Sequence, residues 1–239
     1  MRLDYKLPDK PMEHVAFSLP EQKDYSYSYG LAYKLACEQL AKVDDVAELC
    51  RRSGCSYNTV DSKKIISLEY LNQTYQLTLP GIVITKEGSE EEVPLRDRIL
   101  IVHYLTQAKG TPISNRLITY KELKEGANYF PTFFKRAVKP LVDCFGKCPE
   151  KLLDAARALG GQKASCGDVA VTINAFRRVP ITLVLWKGDE EFPPDGNILF
   201  DSTILDYLSA EDVNVLCQTI AWELVKFYRS GGDTSEKKC

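Results

Sequence analysis

The sequence has no excess of positive charge and no long apolar run. Its 31 Lys and Arg residues are balanced by 33 Asp and Glu residues, which gives a net charge of −2. A nucleic-acid partner is normally recognised by a basic surface, and this balance does not favour one. The longest apolar runs, such as 99–102 and 181–186, fall far short of the roughly 20 residues that span a bilayer. We therefore predict neither a nucleic-acid partner nor a membrane span.

An apolar leader is also missing from the start of the sequence. The first residues, MRLDYKLPDKP, have charges and prolines where a secretory signal peptide has an apolar stretch. In a chain without an export signal, eight cysteines predict free thiols in a reducing compartment rather than a disulfide framework. We therefore expect a cytoplasmic protein.

The motifs that define an enzyme by residue type and spacing are missing as well. The sequence contains no HExxH, no GxSxG elbow, no P-loop and no GxGxxG fingerprint. Its 239 residues are 44% hydrophobic and 27% charged, which is typical of a soluble domain that buries its own core. Composition and motifs therefore leave the reaction, if there is one, undefined.

Periodicity along the chain predicts an α+β fold. Apolar residues recur at helical spacing over 27–52, with a break near Asp44, and alternation over 66–79 predicts a hairpin that turns at Asn72-Gln73. The nearly continuous apolar run 181–186 is typical of a central strand buried on both faces. The segment RLITYKEL, residues 116–123, also has a strand-like pattern. We predict a single mixed domain with a largely antiparallel sheet packed by helices.

The two ends of the chain differ in composition from its middle. Residues 1–26 are rich in proline and charge and predict an N-terminal arm, and the polar residues 230–239 predict a flexible tail. The α+β domain is expected over 27–229. An N-terminal subdomain that ends near residue 92 is an alternative division of the chain.

Several blocks of sequence resemble one prokaryotic family. The segment VPITLVLWKGDEEFPPDGNILFDSTILDYLSAEDV, together with RDRILIVHYL, LITYKEL and the LGG at 159–161, is similar to the family known as domain of unknown function 3786. The resemblance covers roughly 31–227 and implies an origin in anaerobic bacteria or archaea. Some members look like fusions to a small iron-sulfur domain of the kind found in corrinoid proteins. The first cysteine here is Cys37, so we do not expect that extra domain.

Residues 129–145 place aromatic side chains on one helical face and basic side chains on the other. A solvated basic face is the plainer interpretation, and a face that binds a carboxylate or phosphate is the sharper one. Our first hypothesis is an accessory protein that binds a small ligand or cofactor, either an anion or a tetrapyrrole-like molecule, and the family resemblance suggests a relation to corrinoids or tetrapyrroles. Its predicted contacts are Tyr129, Phe133, Arg136 and Trp186.

The segment WKGDEEFPPDG carries a group of carboxylates after the predicted central strand. Asp189, Glu190 and Glu191 emerge together, and Asp201 ends the next short strand. If the strands are neighbours, these side chains can form the rim of the ligand site or, as a second hypothesis, serve a metal-assisted hydrolase. The alternative is a solvated acidic turn, since charged loops usually face water.

Two further expectations concern the neighbours of this acidic turn. Arg177 and Arg178 precede the central strand and are candidates for structural salt bridges with the carboxylates. Trp186 is expected to be an anchor of the hydrophobic core.

The cysteines give a third hypothesis, a metal or redox protein. Cys144, Cys148 and Cys166 are the candidate ligands, although their spacing is unlike that of known cluster motifs. A protein partner, including an iron-sulfur or corrinoid protein, is a further prediction from the family resemblance. His103 lies among apolar helical positions, and we expect it to be packed and hydrogen-bonded rather than a ligand.

Overall fold

The computed structural model describes the backbone of residues 26–230 and the side chains of residues 29–230. Most of the predicted N-terminal arm and tail therefore lies outside the described residues. The helices are α1 Ser26–Leu40, α2 Val46–Ser53, α3 Leu95–Gln107, α4 Gly126–Phe133, α5 Lys139–Phe145, α6 Glu150–Arg157 and α7 Ala210–Ser230. The strands are β1 Ser56–Val60, β2 Lys63–Tyr70, β3 Gln73–Leu79, β4 Val83–Lys86, β5 Leu117–Thr119, β6 Gln162–Ala164, β7 Val169–Phe176, β8 Val179–Trp186 and β9 Asp195–Asp201.

The first sheet is an antiparallel meander with strand order β1-β2-β3-β4. Two-residue turns, Asp61-Ser62 and Leu71-Asn72, connect its first three strands, and all four of these residues have φ between 46° and 65°. Such turns match the right-handed twist of paired strands. The predicted hairpin is confirmed, but its turn comes one residue earlier than Asn72-Gln73.

The second sheet is also antiparallel, with strand order β5-β9-β8-β7-β6. β8 lies in the middle of this sheet, and residues 181–185 are all buried. The prediction of a central strand covered on both faces is therefore confirmed. The continuous apolar run has this meaning because neither face of the strand meets water.

Both sheets contribute to one hydrophobic core that extends from Ala36 to Val225. At the junction of the sheets, the ring of Phe176 stacks between Tyr70 and Tyr104, with centroid distances of 4.9 Å and 4.1 Å. The fold is therefore α+β with antiparallel sheets packed by helices, as the sequence predicts. The domain boundaries remain predictions.

Two local predictions are corrected by the structure. The strand-like stretch 116–123 forms only the short strand β5, because the Glu122 carboxylate accepts a hydrogen bond from the Thr119 amide at 2.7 Å and the chain enters a 3₁₀ turn. The aromatic stretch 129–145 is interrupted by a π-helical turn over Phe134–Val138. No helix within residues 26–230 is long and apolar enough to cross a bilayer.

Candidate functional site

The predicted aromatic face is divided between the core and the surface. Phe133 is fully buried, where it stacks on Tyr120 with a centroid distance of 4.0 Å and meets the edge of Phe200. Tyr129 is 57% exposed, and Arg136 also lies on the surface. Phe133 therefore belongs to the core and does not share a surface with the other two residues.

Trp186 is the last residue of β8, and its side chain is 40% exposed. The expectation that it anchors the core is wrong. The chain leaves the sheet at this position, so part of the indole extends beyond the packed layers.

The acidic turn after β8 is a solvated loop that is closed by one of its own carboxylates. Asp189 Oδ1 accepts hydrogen bonds from the amides of Glu191 and Phe192, both at 2.8 Å. The bond from the Phe192 amide, followed by the weaker effect of the bond from the Glu191 amide, lowers the pKa of Asp189. Glu190 and Glu191 are exposed. The geometry is therefore that of a solvated acidic turn and not that of a ligand site.

Arg177 and Arg178 do not pair with this turn. They form the two-residue turn between β7 and β8, at the opposite end of β8 from Trp186. An eight-residue strand separates the two ends by roughly 25 Å. The expected salt bridges are therefore wrong.

Asp201 is buried and its oxygens are occupied by local hydrogen bonds. Oδ1 accepts from the amide and hydroxyl of Ser114 and from those of Thr203, at distances between 2.7 Å and 3.1 Å. Oδ2 accepts from the Asn115 amide at 2.7 Å. Burial raises the pKa of Asp201, but these bonds outweigh it and lower the pKa overall. Asp201 fixes the loop before β5 rather than facing a cavity.

The cysteines of the third hypothesis do not form a ligand set. Cys144 and Cys166 are free thiols, and Cys148 is disulfide-bonded. Over the described residues, no group of three or more His, Cys, Asp and Glu side chains is placed to hold a metal ion. That finding covers the predicted cysteines and the predicted carboxylates alike.

A polar cavity of about 350 Å³ lies where the first sheet meets the helices of the second half, and we call it the junction pocket. The hairpin β2–β3, the start of α3, the end of α6 and the middle of α7 form its walls. Its lining residues are Tyr70, Leu71, Gln73, Tyr75, Lys86, Ser89, Glu91, Glu92, Val93, Pro94, Asp97, Ala158, Leu159, Thr219, Glu223 and Lys226.

Asp97 is the buried carboxylate of the junction pocket, with 7% of its surface exposed. Its Oδ1 accepts hydrogen bonds from the Tyr70 hydroxyl and from Arg96 Nε, both at 3.1 Å. Its Oδ2 has only a long contact of 3.5 Å with Arg96 Nη2. Because a carboxylate offers about four acceptor positions, Asp97 keeps the capacity to bind a further donor.

Two tyrosines beside Asp97 remain protonated donors. Burial, followed by the charge of Asp97, raises the pKa of Tyr70 well above its usual range. The same two effects raise the pKa of Tyr75 to about 12. The two rings meet edge to face with a centroid distance of 5.7 Å. The pocket therefore combines an acceptor, two neutral hydroxyls and aromatic surface.

Most of the charged residues that line the junction pocket are acidic. Four carboxylates, Glu91, Glu92, Asp97 and Glu223, face two lysines, Lys86 and Lys226. Two of these carboxylates are paired with arginines, Glu92 with Arg98 at 2.7 Å and Asp97 with Arg96 at 3.1 Å. Carboxylate oxygens still outnumber lysine ammonium groups in the lining, so a ligand that donates hydrogen bonds suits these walls.

Asp97 is not among the predicted site residues, although helical spacing contains a signal for it. Asp97 lies three, four and seven residues before Leu100, Ile101 and Tyr104, which are all fully buried. Residues at these separations share one helix face. A lone carboxylate on the buried face of a helix needs a partner, and this is a recognisable mark of a site or of a buried ion pair.

A second cavity, of about 710 Å³, lies between α1 and the edge of the first sheet, and we call it the α1 groove. Its walls are mainly apolar. They include Leu40, Val43, Val46, Leu79, Pro80 and Ile82, with Tyr33, Cys37 and Lys64 among the polar members.

The fold and its pocket define an α+β protein with two antiparallel sheets and a polar cavity at their junction. Residues 45–222 match the model of a family described as a domain of unknown function, DUF3786, and the protein belongs to that family. The match confirms the resemblance and includes Tyr70, Tyr75 and Asp97. Comparisons with curated proteins and with solved structures gave no match.

Proposed function

We propose that the protein binds a small polar molecule that carries an amine or hydroxyl groups, and that the junction pocket holds it. The observation that carries this proposal is the buried carboxylate of Asp97, whose Oδ2 lacks a close partner within the described residues. A buried carboxylate oxygen is costly to leave without a donor, so a ligand that supplies one gains affinity.

The other walls of the junction pocket support the same class of ligand. The neutral hydroxyls of Tyr70 and Tyr75 can orient polar groups, and their rings can cover an aliphatic or cationic part. The excess of carboxylates disfavours an anion. A cavity of about 350 Å³ is at the lower end of the usual range for small-molecule sites.

This proposal keeps the binding function of the first hypothesis but changes its location and its ligand. The residues first predicted to bind are divided between core, surface and turn. The small anion of the first hypothesis does not suit a pocket whose lining has four carboxylates and two lysines. The metal-assisted hydrolase and the cysteine-based metal protein lack a ligand set in the part of the chain that the structure describes.

Thermal unfolding in the presence of glucosamine, N-acetylglucosamine or gluconate, three related derivatives of glucose, tests the proposal. We expect glucosamine to raise the melting temperature more than N-acetylglucosamine does, and gluconate to have no effect, because only glucosamine offers a cationic amine to Asp97. Asp97→Asn should remove the effect of glucosamine. Asp189→Asn, which changes an exposed aspartate far from the pocket, is the matched control and should keep it.

Native mass spectrometry of the purified protein complements this test, since it detects a co-purified molecule without assuming its identity. The proposal fails if no amine or polyol binds in either experiment. It also fails if Asp97→Asn binds the same molecule as tightly as the wild type does.

A tetrapyrrole ligand remains a second candidate, and the α1 groove is the cavity that favours it. The groove is about 710 Å³ in volume and mainly apolar, whereas the junction pocket has half that volume. Titration with haem and with cobalamin, followed by absorbance, tests this candidate. Absence of a spectral shift with both would exclude it, and a haem shift that is lost in Cys37→Ser would locate the ligand in the groove.

We also propose that the protein acts in the cytoplasm, with an iron-sulfur or corrinoid protein as a candidate partner. Six of the seven cysteines within the described residues are free thiols, which supports a reducing compartment, whereas the disulfide bond of Cys148 does not. Cell fractionation and co-purification from an anaerobic host would test both statements.

A further inference from the structure

The α1 groove presents apolar surface that the other residues of 26–230 leave in contact with water. Val43, Leu79 and Ile82 line it and are only half-buried, and Ala41 is exposed. The volume of the groove, about 710 Å³, is within the usual range for a binding cleft. An apolar cleft of this size is a common mark of an interaction site.

The apolar surface continues from the groove onto the neighbouring side of α1. Leu31 and Leu35 lie one turn apart on this helix and are 48% and 51% exposed. Each of them lies three positions before a groove residue, Lys34 or Glu38, so the two pairs are neighbours on the helix surface. Exposed leucines beside an apolar cleft indicate an occupant that covers both.

The chain that leads into α1 contains a stretch of matching character. Residues 1–25 lie outside the described residues and are rich in charge and proline, but VAFSLP at 15–20 has five apolar residues among six. Removal of Phe17 and Leu19 from water would be favourable by roughly 25 cal/mol for each Å² of apolar surface buried. An apolar cleft is the kind of surface that provides this burial.

The connection between this stretch and α1 is long enough to reach the groove. The groove begins on α1 at Tyr33, which lies about 10 Å along the helix axis from Ser26. The six residues from Pro20 to Ser26 span up to about 20 Å when extended. The chain can therefore turn back at the start of α1 and place residues 15–20 along the groove.

The charges around the groove and around the apolar stretch are complementary. Lys34 and Lys64 line the groove together with one carboxylate, Glu38, and neither lysine forms an ion pair with another described residue. Residues 13–24, which include the apolar stretch, have three carboxylates and one lysine. Opposite charge on two surfaces favours their association and fixes their register.

We propose that residues 15–20 bind in the α1 groove of the same chain, with Phe17 and Leu19 against its apolar walls. The occupant is intramolecular, so its effective concentration is high and a modest affinity is enough to keep the groove covered. A tetrapyrrole, the second candidate ligand of this groove, would have to displace the segment. The inference does not depend on the junction pocket.

Photocrosslinking in the chain of 239 residues tests the location of the segment. A benzophenone amino acid in place of Phe17 should form crosslinks within one chain, to peptides that contain residues 33–43 or 79–82. The same probe in place of Tyr5, which precedes the apolar stretch, is the control and should not give these products. Peptide mapping by mass spectrometry identifies the crosslinked residues.

Alkylation of Cys37 provides a second readout, because this half-buried thiol lines the groove. Phe17→Asp combined with Leu19→Asp should raise its rate of alkylation by at least about fivefold, since access controls the reaction of a thiol. Leu3→Asp combined with Leu7→Asp is the matched control and should leave the rate unchanged. The fully buried Cys217 should react equally slowly in all variants, which shows that the fold is intact.

Three outcomes would overturn the inference. The first is the absence of crosslinks between position 17 and the groove, and the second is equal alkylation of Cys37 in the wild type and in the Phe17→Asp, Leu19→Asp variant. The third is a crosslink that joins two chains, which would make a second copy the occupant. Neither readout uses a ligand, so failure of the glucosamine or haem titration would leave the result unaffected.

Discussion

The turn after β8 and the junction pocket both collect acidic side chains, but only the pocket leaves one of them with unused capacity. In the turn, Asp189 bonds to its own backbone while Glu190 and Glu191 face water. In the pocket, Asp97 is desolvated and one of its oxygens lacks a close donor. The density of carboxylates in the sequence is therefore a weaker sign of a site than burial combined with incomplete hydrogen bonding.

Two buried aspartates show the same difference at atomic detail. Asp201 accepts five hydrogen bonds, three of them from backbone amides, whereas Asp97 accepts two at 3.1 Å and one at 3.5 Å. Asp201 is thus a structural support of a loop. Asp97 can serve both the fold and a ligand.

The largest expected effect on stability comes from the aromatic face that the sequence predicts to bind a ligand, where Phe133 lies in the core and Tyr129 lies on the surface. Phe133→Ala should lower the free energy of unfolding by about 3–5 kcal/mol, the usual cost of truncating a buried aromatic side chain. Tyr129→Ala should change it by less than about 0.5 kcal/mol, because this side chain is largely in water. Urea denaturation measures both. Similar losses in the two variants would contradict this division.

The second prediction compares the two buried aspartates. Asp201→Asn should lower the free energy of unfolding by about 2–4 kcal/mol, because its new amide donors would face backbone N–H groups that need an acceptor. Asp97→Asn should lower the free energy of unfolding by only about 1–2 kcal/mol, because the amide oxygen of the new side chain can still accept from Tyr70 and Arg96. Denaturant midpoints and slopes give both values. If Asp97→Asn lowered the free energy of unfolding more than Asp201→Asn does, the role of Asp97 would be mainly structural.

The third prediction concerns a pair that belongs to neither region, the half-buried His103 and the buried Asp212, whose Nδ1 and Oδ1 atoms are 2.7 Å apart. The hydrogen bond to Asp212 raises the pKa of His103 above 6.5. Burial raises the pKa of Asp212, but the bond from His103 and those from Ser209 and Gln107 lower it below 3.8 overall. The expected packed and hydrogen-bonded histidine is confirmed.

The sign of the pH dependence follows from these directions. The contribution of His103 should be complete below pH 6.5 and decline as the pH rises through its raised pKa, whereas that of Asp212 should decline as the pH falls below 3.8. Between these limits we expect His103→Gln to be less stable than the wild type by about 1–2 kcal/mol. Equal stability differences at pH 5.5 and pH 9 would contradict the charged pair.

The smallest effect is expected in the acidic turn. The double variant Glu190→Gln with Glu191→Gln should leave the melting temperature unchanged or slightly higher, because both side chains are exposed and neighbouring like charges repel. Calorimetry at low ionic strength is the most sensitive measurement. A clear loss of stability would show that these glutamates have structural partners.

Features that depend on neighbours in the sequence could be predicted without the structure. The hairpin between β2 and β3, the two helices separated near Asp44 and the buried central strand β8 all follow from apolar spacing. The capping of α7 is of the same kind, because Ser209 and Asp212 bond to each other across three residues. Local backbone preference and burial of one face decide these elements, so short windows contain the information.

The candidate site depended on contacts between distant residues. Tyr70 and Asp97 are 27 residues apart, and Asp201 and Ser114 are 87 apart. Whether a carboxylate is saturated, solvated or left with a free oxygen depends on which donors the fold brings to it. The sequence alone therefore determined the α+β architecture, its central strand and its helix caps. Only the tertiary structure decided that Asp97 faces a pocket with one oxygen that lacks a close donor. Hydrogen-bond saturation depends on the positions of atoms in space, and the order of residues in the chain does not specify it.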